Sequence, residues 1–276
     1  MLYEVKIHAQ YLYILIILML MAISIITRAH KTSELKNLVS NINSSNEVEK
    51  EIIDVCNIND YNIEDTKIII ENSNRFRARI TGIKNSSYEK ILFLDSDQIP
   101  ENGLLKELDD KNEDMIIIPE RSINNSFTSK CLDDWRYKND RLAKKNITPY
   151  IPVVPRFYKK EYLIKAVNRL HQNVYNIIDH EDSVLYYEAF IETNNVGFSK
   201  KYIYNYDPDF FNLMRKAFLY GKNERDIKSI EIPEDIKILI NRLNKNTLNV
   251  KELGISKGYV MQILRGIIYE IGKIFG

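Results

Sequence analysis

The chain has 276 residues, of which 45% are hydrophobic and 28% charged, and its 39 Lys and Arg nearly balance 38 Asp and Glu. This composition excludes a disordered chain, and a net charge of +1 opposes a dedicated nucleic-acid binder, which carries a basic excess. Two cysteines, Cys56 and Cys131, build neither a disulfide framework nor a cysteine-ligated zinc site, and with four histidines they leave oxygen ligands as the natural choice for any metal.

Residues 11–27, YLYILIILMLMAISIIT, carry no charge. The run falls short of the about 20 residues of a membrane-spanning helix, and no small-residue cleavage site follows it. Its second half, AISIIT, is rich in β-branched residues and leads into a helix start, which predicts a buried strand over residues 22–27. Residues 1–21 are then an apolar extension, read either as a membrane segment or as the product of a start assigned too early, since Met21 directly precedes the strand.

Thr32 or Ser33 is suited to cap a helix with Leu35, Leu38, Val39 and Ile42 on one face. The strands EIIDVC (51–56) and KIII (67–70) follow, then a helix with Phe76, Ile80 and Ile83 on one side, then the strand KILFL (90–94). Short apolar strands separated by amphipathic helices predict a parallel sheet covered on both faces. After DMIIIP (114–119) the rhythm breaks, and the polar, Asn-rich residues 120–151, with the only Trp, read as an excursion over the sheet. The nine glycines form no GxGxxG or GxxxxGK[ST] string, so no Gly-rich phosphate loop is expected.

The chemistry gathers in ILFLDSDQIP (91–100). Four apolar residues carry the chain to the carboxyl end of a buried strand, where open α/β sheets bind ligands. Period-two alternation is expected to point Asp95 and Asp97 the same way. Two adjacent carboxylates repel unless a cation or proton lies between them, and Mg²⁺ typically takes one or two carboxylates plus substrate phosphates. The plainer alternative is that Asp95 and Ser96 make a turn or cap the next helix.

With ISIITRAHKTSELKNLV, RFRARITGIKNSSYEKILFLDSDQIP, HEDSVLYYEA and FNLMRKAFLYGKN in this order, the chain resembles the GT-A glycosyltransferases similar to family 2, over residues 22–221. The resemblance implies a GT-A-like, Rossmann-like, mostly parallel sheet flanked by helices, and transfer of a sugar from a nucleotide-diphosphate donor to a glycan or lipid-linked acceptor with inversion. It implies that Thr27 and Arg28 approach the nucleotide, that Arg79 is the recurrent arginine of ARITG, that Asp95 meets the ribose or metal, and that Asp97 ligates a divalent metal, Mg²⁺ or Mn²⁺. Two departures stand out. The second strand ends in Cys56-Asn57, placing Asn57 where the family usually has a base-reading Asp, and YNYDPD (204–209) lacks the His often found as a third ligand.

In HEDSVLYYEA (180–189), carboxylates sit at a helix start, where the helix dipole stabilises anions. Val184, Leu185 and Ala189 are expected to turn inward, and consecutive residues diverge by about 100°, so one acid of the pair faces the cleft while the other caps or meets solvent. Inverting transfer needs a carboxylate to take the acceptor's proton, and the family's ED pair assigns this role to Asp182, with Glu181 as the competing choice. His180 is read as an outer or acceptor-contacting residue.

The helix with Phe210, Phe211, Met214 and Phe218 reads as core packing, interleaved with Arg215, Lys216 and Lys222, any of which could face a diphosphate. The expected organisation is an extension over 1–21, a catalytic domain over 22–225 and a helical region over 226–276. The stripe of Val260, Ile263, Leu264, Ile267, Ile271 and Ile274 suits either helix packing or a membrane surface, which would put the protein in the cytoplasm, at the membrane's cytoplasmic face. Residues 250–266 superficially resemble a helix-turn-helix, but the absence of a basic stripe speaks against DNA. The alternative functions are a sugar-nucleotide binding protein without catalysis and an aspartate-nucleophile phosphatase. Gln98-Ile99-Pro100 after the second Asp oppose the phosphatase.

Overall fold

The computed structural model describes residues 22–44, 48–57, 63–151, 153–177, 179–227, 231–246 and 256–276. The extension over residues 1–21 lies outside the described residues, and no helix of the described residues is long and apolar enough to cross a membrane. Strand β1 (Ala22–Thr27) is wholly buried, as expected. Helix α1 (Thr32–Asn43) buries Leu35, Leu38, Val39 and Ile42; its N-cap is Lys31, so neither Thr32 nor Ser33 caps it. Strands β2 (Glu49–Cys56) and β3 (Thr66–Ile70), helix α2 (Arg75–Asn85) and strand β4 (Lys90–Phe93) complete the first half. Asn74 caps α2, its side chain accepting from the Arg77 amide.

The second half begins with β5 (Gln98–Pro100), α3 (Leu104–Asp109), β6 (Met115–Ile117) and β7 (Glu120–Ser122). The supposed excursion over 120–151 is largely a 19-residue helix, α4 (Phe127–Lys145), started by the Ser126 side chain accepting from Ser129 N. Then follow β8 (Phe157–Lys159), α5 (Lys160–Arg169), a 3₁₀ turn (Gln172–Asn176), α6 (Glu181–Glu192), β9 (Val196–Phe198), β10 (Ile203–Asn205), α7 (Phe210–Ile227), α8 (Glu234–Asn246) and α9 (Lys257–Phe275).

A seven-stranded sheet has the order β3-β2-β1-β4-β8-β6-β9, parallel except at β8, which runs antiparallel to β4 and β6. A second sheet, β5-β10-β7, lies beyond the DSD segment. Neighbouring residues in each central strand feed opposite cores. Ile26, Phe93, Ile117 and Tyr158 pack with α2, α5, α6 and α8. Ile25, Leu92, Ile116 and Phe157 pack with α1 and α3. This two-sided burial is why the strands read as continuous apolar runs.

Helix α8 joins the core beside the sheet, whereas α7 and α9 pack on each other and on α4. In α7 the packed residues are Leu213 and Ala217, joined in one cluster by Leu213 with Cys131, Leu132 and Met261. The expected aromatic core there does not form, because Phe211 is 83% exposed and Phe210 39%. Helix α9 crosses α7 at glycines: a Cβ on Gly221 would strike the Tyr269 carbonyl, and one on Gly272 the Phe218 carbonyl. The helix runs unbroken through Gly266, so the described part of 250–266 contains no helix-turn-helix.

Candidate active site

The site assembles at the carboxyl ends of β1 and β4, which are tied together by the Leu94 amide donating to the Ile26 carbonyl at 3.1 Å. The loop after β1 is held from below. Asp54, fully buried in β2, accepts from the Ala29 amide at 2.8 Å, and Arg28 donates to the Ser73 carbonyl at 2.8 Å. Burial and the nearby Arg75 charge lower the pKa of Arg28. The Thr27 hydroxyl is buried and makes no hydrogen bond. Asn57 is exposed at the end of β2 and lines neither cavity described below.

Strand β4 ends at Phe93, two residues before the first acid of the motif. Asp95 to Gln98 form a turn in which the Gln98 amide donates to the Asp95 carbonyl at 3.0 Å and the Gln98 side chain accepts from the Asp95 amide at 2.9 Å. Period-two alternation therefore does not apply, and the two carboxylates have different partners although the charge of Asp95 reaches Asp97. Asp95 lies between guanidinium groups, 3.6 Å from Arg79 Nη2 and 3.5 Å from Arg156 Nη1. Asp97 is exposed and lines a cavity of about 560 Å³ with Lys31, Glu34, Tyr206, Arg215 and Lys216. Of the three basic candidates on α7, Arg215 and Lys216 border this cavity and Lys222 does not.

Arg79, buried on α2, is the hub. It contacts Asp182, lies 3.5 Å from Glu181 Oε1, reaches Asp95 as above, and stacks 5.4 Å from the Phe93 ring centroid. Glu181 does not meet solvent, against the expectation for the acid that does not face the cleft. It is buried and also paired with Arg75 at 3.3 Å. Asp182 remains 26% exposed and lines a second cavity of about 300 Å³ with Trp135, Arg136, Val153, Arg156 and His180. His180 begins α6 in the left-handed region at φ 66°, its amide donating to Asp179 Oδ1 at 3.0 Å.

The electrostatics follow from this layout. Burial alone would raise the pKa of Asp95, but the charges of Arg156, Arg75 and Arg79 outweigh it and hold the carboxyl far below the usual range. Although the Asp97 side chain reaches the cavity, the protein packed around it thins its hydration and, with the charge of Asp95, pushes its pKa upward against the pull of Lys216. Arg79 has its pKa lowered by burial, against the charges of Glu181 and Asp95. Arg156 is fixed by Glu120, at 3.1 Å through Nε and 2.8 Å through Nη2. Among the described residues no three His, Cys, Asp or Glu side chains gather as a metal site.

Thus Arg28, Arg79, Asp95 and Asp182 come together at one end of the sheet, Asp97 faces the adjoining cavity, and Asn57 stands apart. Sequence reasoning missed Asp54, Arg75, Glu120 and Arg156. One of them was open to inference, because Arg75 precedes Arg79 by four residues and so shares its helix face.

No family model matches the sequence, and no curated protein matches it. Solved structures do. Staphylococcus aureus TarS, residues 1–349, superposes with a TM-score of 0.54 at 14% identity, covering 91% of this chain and 81% of that one. The same protein in complex with UDP gives 0.53 at 16% identity, covering 86% and 76%. Its complex with UDP-GlcNAc gives 0.53 at 15%, covering 92% and 88%. At such identities the likeness is one of fold, and the fold is the GT-A-like, mostly parallel α/β arrangement that the sequence motifs imply.

Proposed function

We propose that this chain is an inverting glycosyltransferase, similar to family 2, that moves a sugar from a nucleotide-diphosphate donor to a hydroxyl of a glycan or lipid-linked acceptor. One observation carries the reading: Arg79 bridges the Asp95 turn and the Asp182 helix start, so a donor-side carboxylate and an accessible candidate base meet at the ligand-binding end of the sheet. The shared fold with TarS, solved with UDP and with UDP-GlcNAc, supports a uridine-diphosphate sugar as donor.

In this reading the Asp182 carboxylate takes the proton as the acceptor O–H bond breaks. The acceptor oxygen bonds the anomeric carbon from the face opposite the diphosphate, and the bond from that carbon to the diphosphate oxygen breaks, releasing the nucleoside diphosphate. Thr27, Arg28 and Arg79 serve the nucleotide end, with Asn57 at its margin. Lys216 and Arg215 supply positive charge beside Asp97, where negative charge develops on the leaving group.

A divalent cation, Mg²⁺ or Mn²⁺, fits this chain through Asp97, which is exposed and whose charge is disfavoured by Asp95. Asp95, which Arg79 and Arg156 hold from the protein side, would be the second oxygen donor. The rest of such an ion's coordination would come from substrate phosphates and water. Such an ion would stabilise the departing diphosphate.

The test is donor binding. UDP-GlcNAc with Mn²⁺, at about 100 times its dissociation constant, should stabilise the protein by about 2.7 kcal/mol in thermal melts. Asp97→Ala should lose both this shift and turnover while keeping its fold. Unchanged, metal-dependent donor binding in that variant would remove Asp97 from the site. Binding without any donor turnover by the wild type, across acceptors, would favour a sugar-nucleotide binding protein instead.

A further inference from the structure

Helix α9 joins the protein by the wrong side for its composition. Its buried residues are Gly258, Tyr259, Met261, Gln262 and Gly272, and the glycines let it lie directly on α7 and α4. The apolar stripe is left outside: Val260, Ile263, Leu264, Ile267, Ile271 and Ile274 are all exposed, Ile274 by 65%. With a residue every 100°, these six fall within about 120° of one another, on the face turned away from the glycines. Packing on the catalytic domain therefore does not account for the stripe.

The exposed charge of α7 and α9 indicates what would cover it. On α7 and α9 the exposed charged side chains whose surroundings are described are Arg215, Lys216, Lys222 and Lys257, against Glu270 alone, and Glu270 is paired with Lys273 at 3.1 Å. An apolar helix face on a pair of helices whose exposed, unpaired charges are cationic is the pattern of a helix lying in the interface of an anionic bilayer. Helices in contact have axes about 8–10 Å apart, and α7 itself borders the cavity of Asp97, so a surface holding α9 would lie close to that cavity.

We infer that the outer face of α9 is a docking surface for an anionic lipid membrane. The inference does not rest on the transferase reading, and its test needs no donor or acceptor. Full-length protein is sedimented with vesicles of phosphatidylglycerol and phosphatidylcholine, and with vesicles of phosphatidylcholine alone. Binding is expected on the anionic vesicles and should weaken with salt. Ile267→Glu and Ile274→Glu each remove apolar surface from the lipid and should weaken binding about tenfold or more. Lys257→Glu should cost about fivefold on anionic vesicles only. All three side chains are exposed, so unchanged thermal melts should confirm that the variants fold.

Vesicle binding that persists undiminished in both isoleucine variants would place the membrane contact elsewhere in the chain and overturn the inference. So would absence of vesicle binding together with a dimer that either isoleucine variant converts to monomer, since the stripe would then cover a second copy.

Discussion

The two acidic segments, Asp95–Asp97 and Glu181–Asp182, each carry two carboxylates on different supports. In each, one carboxylate is seized by arginines and the other is left facing a cavity. Asp95 lies between Arg79 and Arg156, and Glu181, buried at the edge of the second cavity, between Arg75 and Arg79, whereas Asp97 and Asp182 are the more open acids lining the two cavities. The first segment is a turn held by Gln98, and its free acid is not reached by any arginine contact described above. The second is a helix start, and its free acid still touches Arg79. An accessible carboxylate held by a buried cation is oriented toward its cavity, which suits a base. One next to another carboxylate is better placed to receive an added cation.

The sharpest way to break this comparison is to neutralise the two acids of α6 in turn. Asp182→Asn keeps the shape but cannot take a proton, so turnover should fall about 10²–10⁴-fold with donor affinity retained. Glu181→Gln should leave the proton-transfer step in place and act chiefly on stability, because its carboxylate is buried against Arg75 and Arg79. Steady-state kinetics beside donor titrations decide the matter. Near-normal turnover in the Asp182 variant with collapse in the Glu181 variant would move the base by one residue.

Removing the shared cation comes next. Arg79→Met leaves Glu181 without one of its two partners and Asp95 without one of its own, inside the protein. Breaking a buried pair from one side costs about 3–5 kcal/mol, to be read from urea midpoints with the slope unchanged. Arg79→Lys keeps the charge but cannot span three carboxylates with a planar fork, so it should fall between wild type and Arg79→Met.

Much of the scaffold was legible because its strands are buried on both faces. The apolar runs at 22–27 and 90–94 and the β-branched 51–56, interrupted by Asp54, admit few other readings, and the apolar stripes of α1 and α2 are plain in the sequence. Helix α4 was not legible because its buried face mixes Cys131, Leu132 and Ala143 with Thr128, Ser129, Asn139 and Asp140, so no apolar stripe announces it. The acids of the site were found from their local motifs. Their partners were not, since Arg75 meets Glu181 across 106 positions and Arg156 reaches back to Asp95 from another strand's approach. The orientation of Asp95 and Asp97 failed for a local reason: the strand stops two residues early, and a side chain from within the next strand closes the turn.

The smallest expected effect concerns Asp95 and pH. Its folded-state pKa is depressed, since the charges of Arg156, Arg75 and Arg79 outweigh the opposing effect of burial. A depressed carboxylate pKa adds stability above the unfolded value of about 3.9, and that stability is lost as pH falls through the folded value. Asp95→Asn should therefore be less stable than wild type near neutrality by a constant amount, and the gap should narrow only below about pH 4. The side chain is 35% exposed, so solvent screening limits the gap to about 1 kcal/mol. The same substitution removes the charge that helps to raise Asp97, whose titration, followed by carboxyl NMR, should move down toward the ordinary range. A stability gap that widened on acidification would mean that Asp95 is held protonated, and the arginine pairs would then not be what orders the turn.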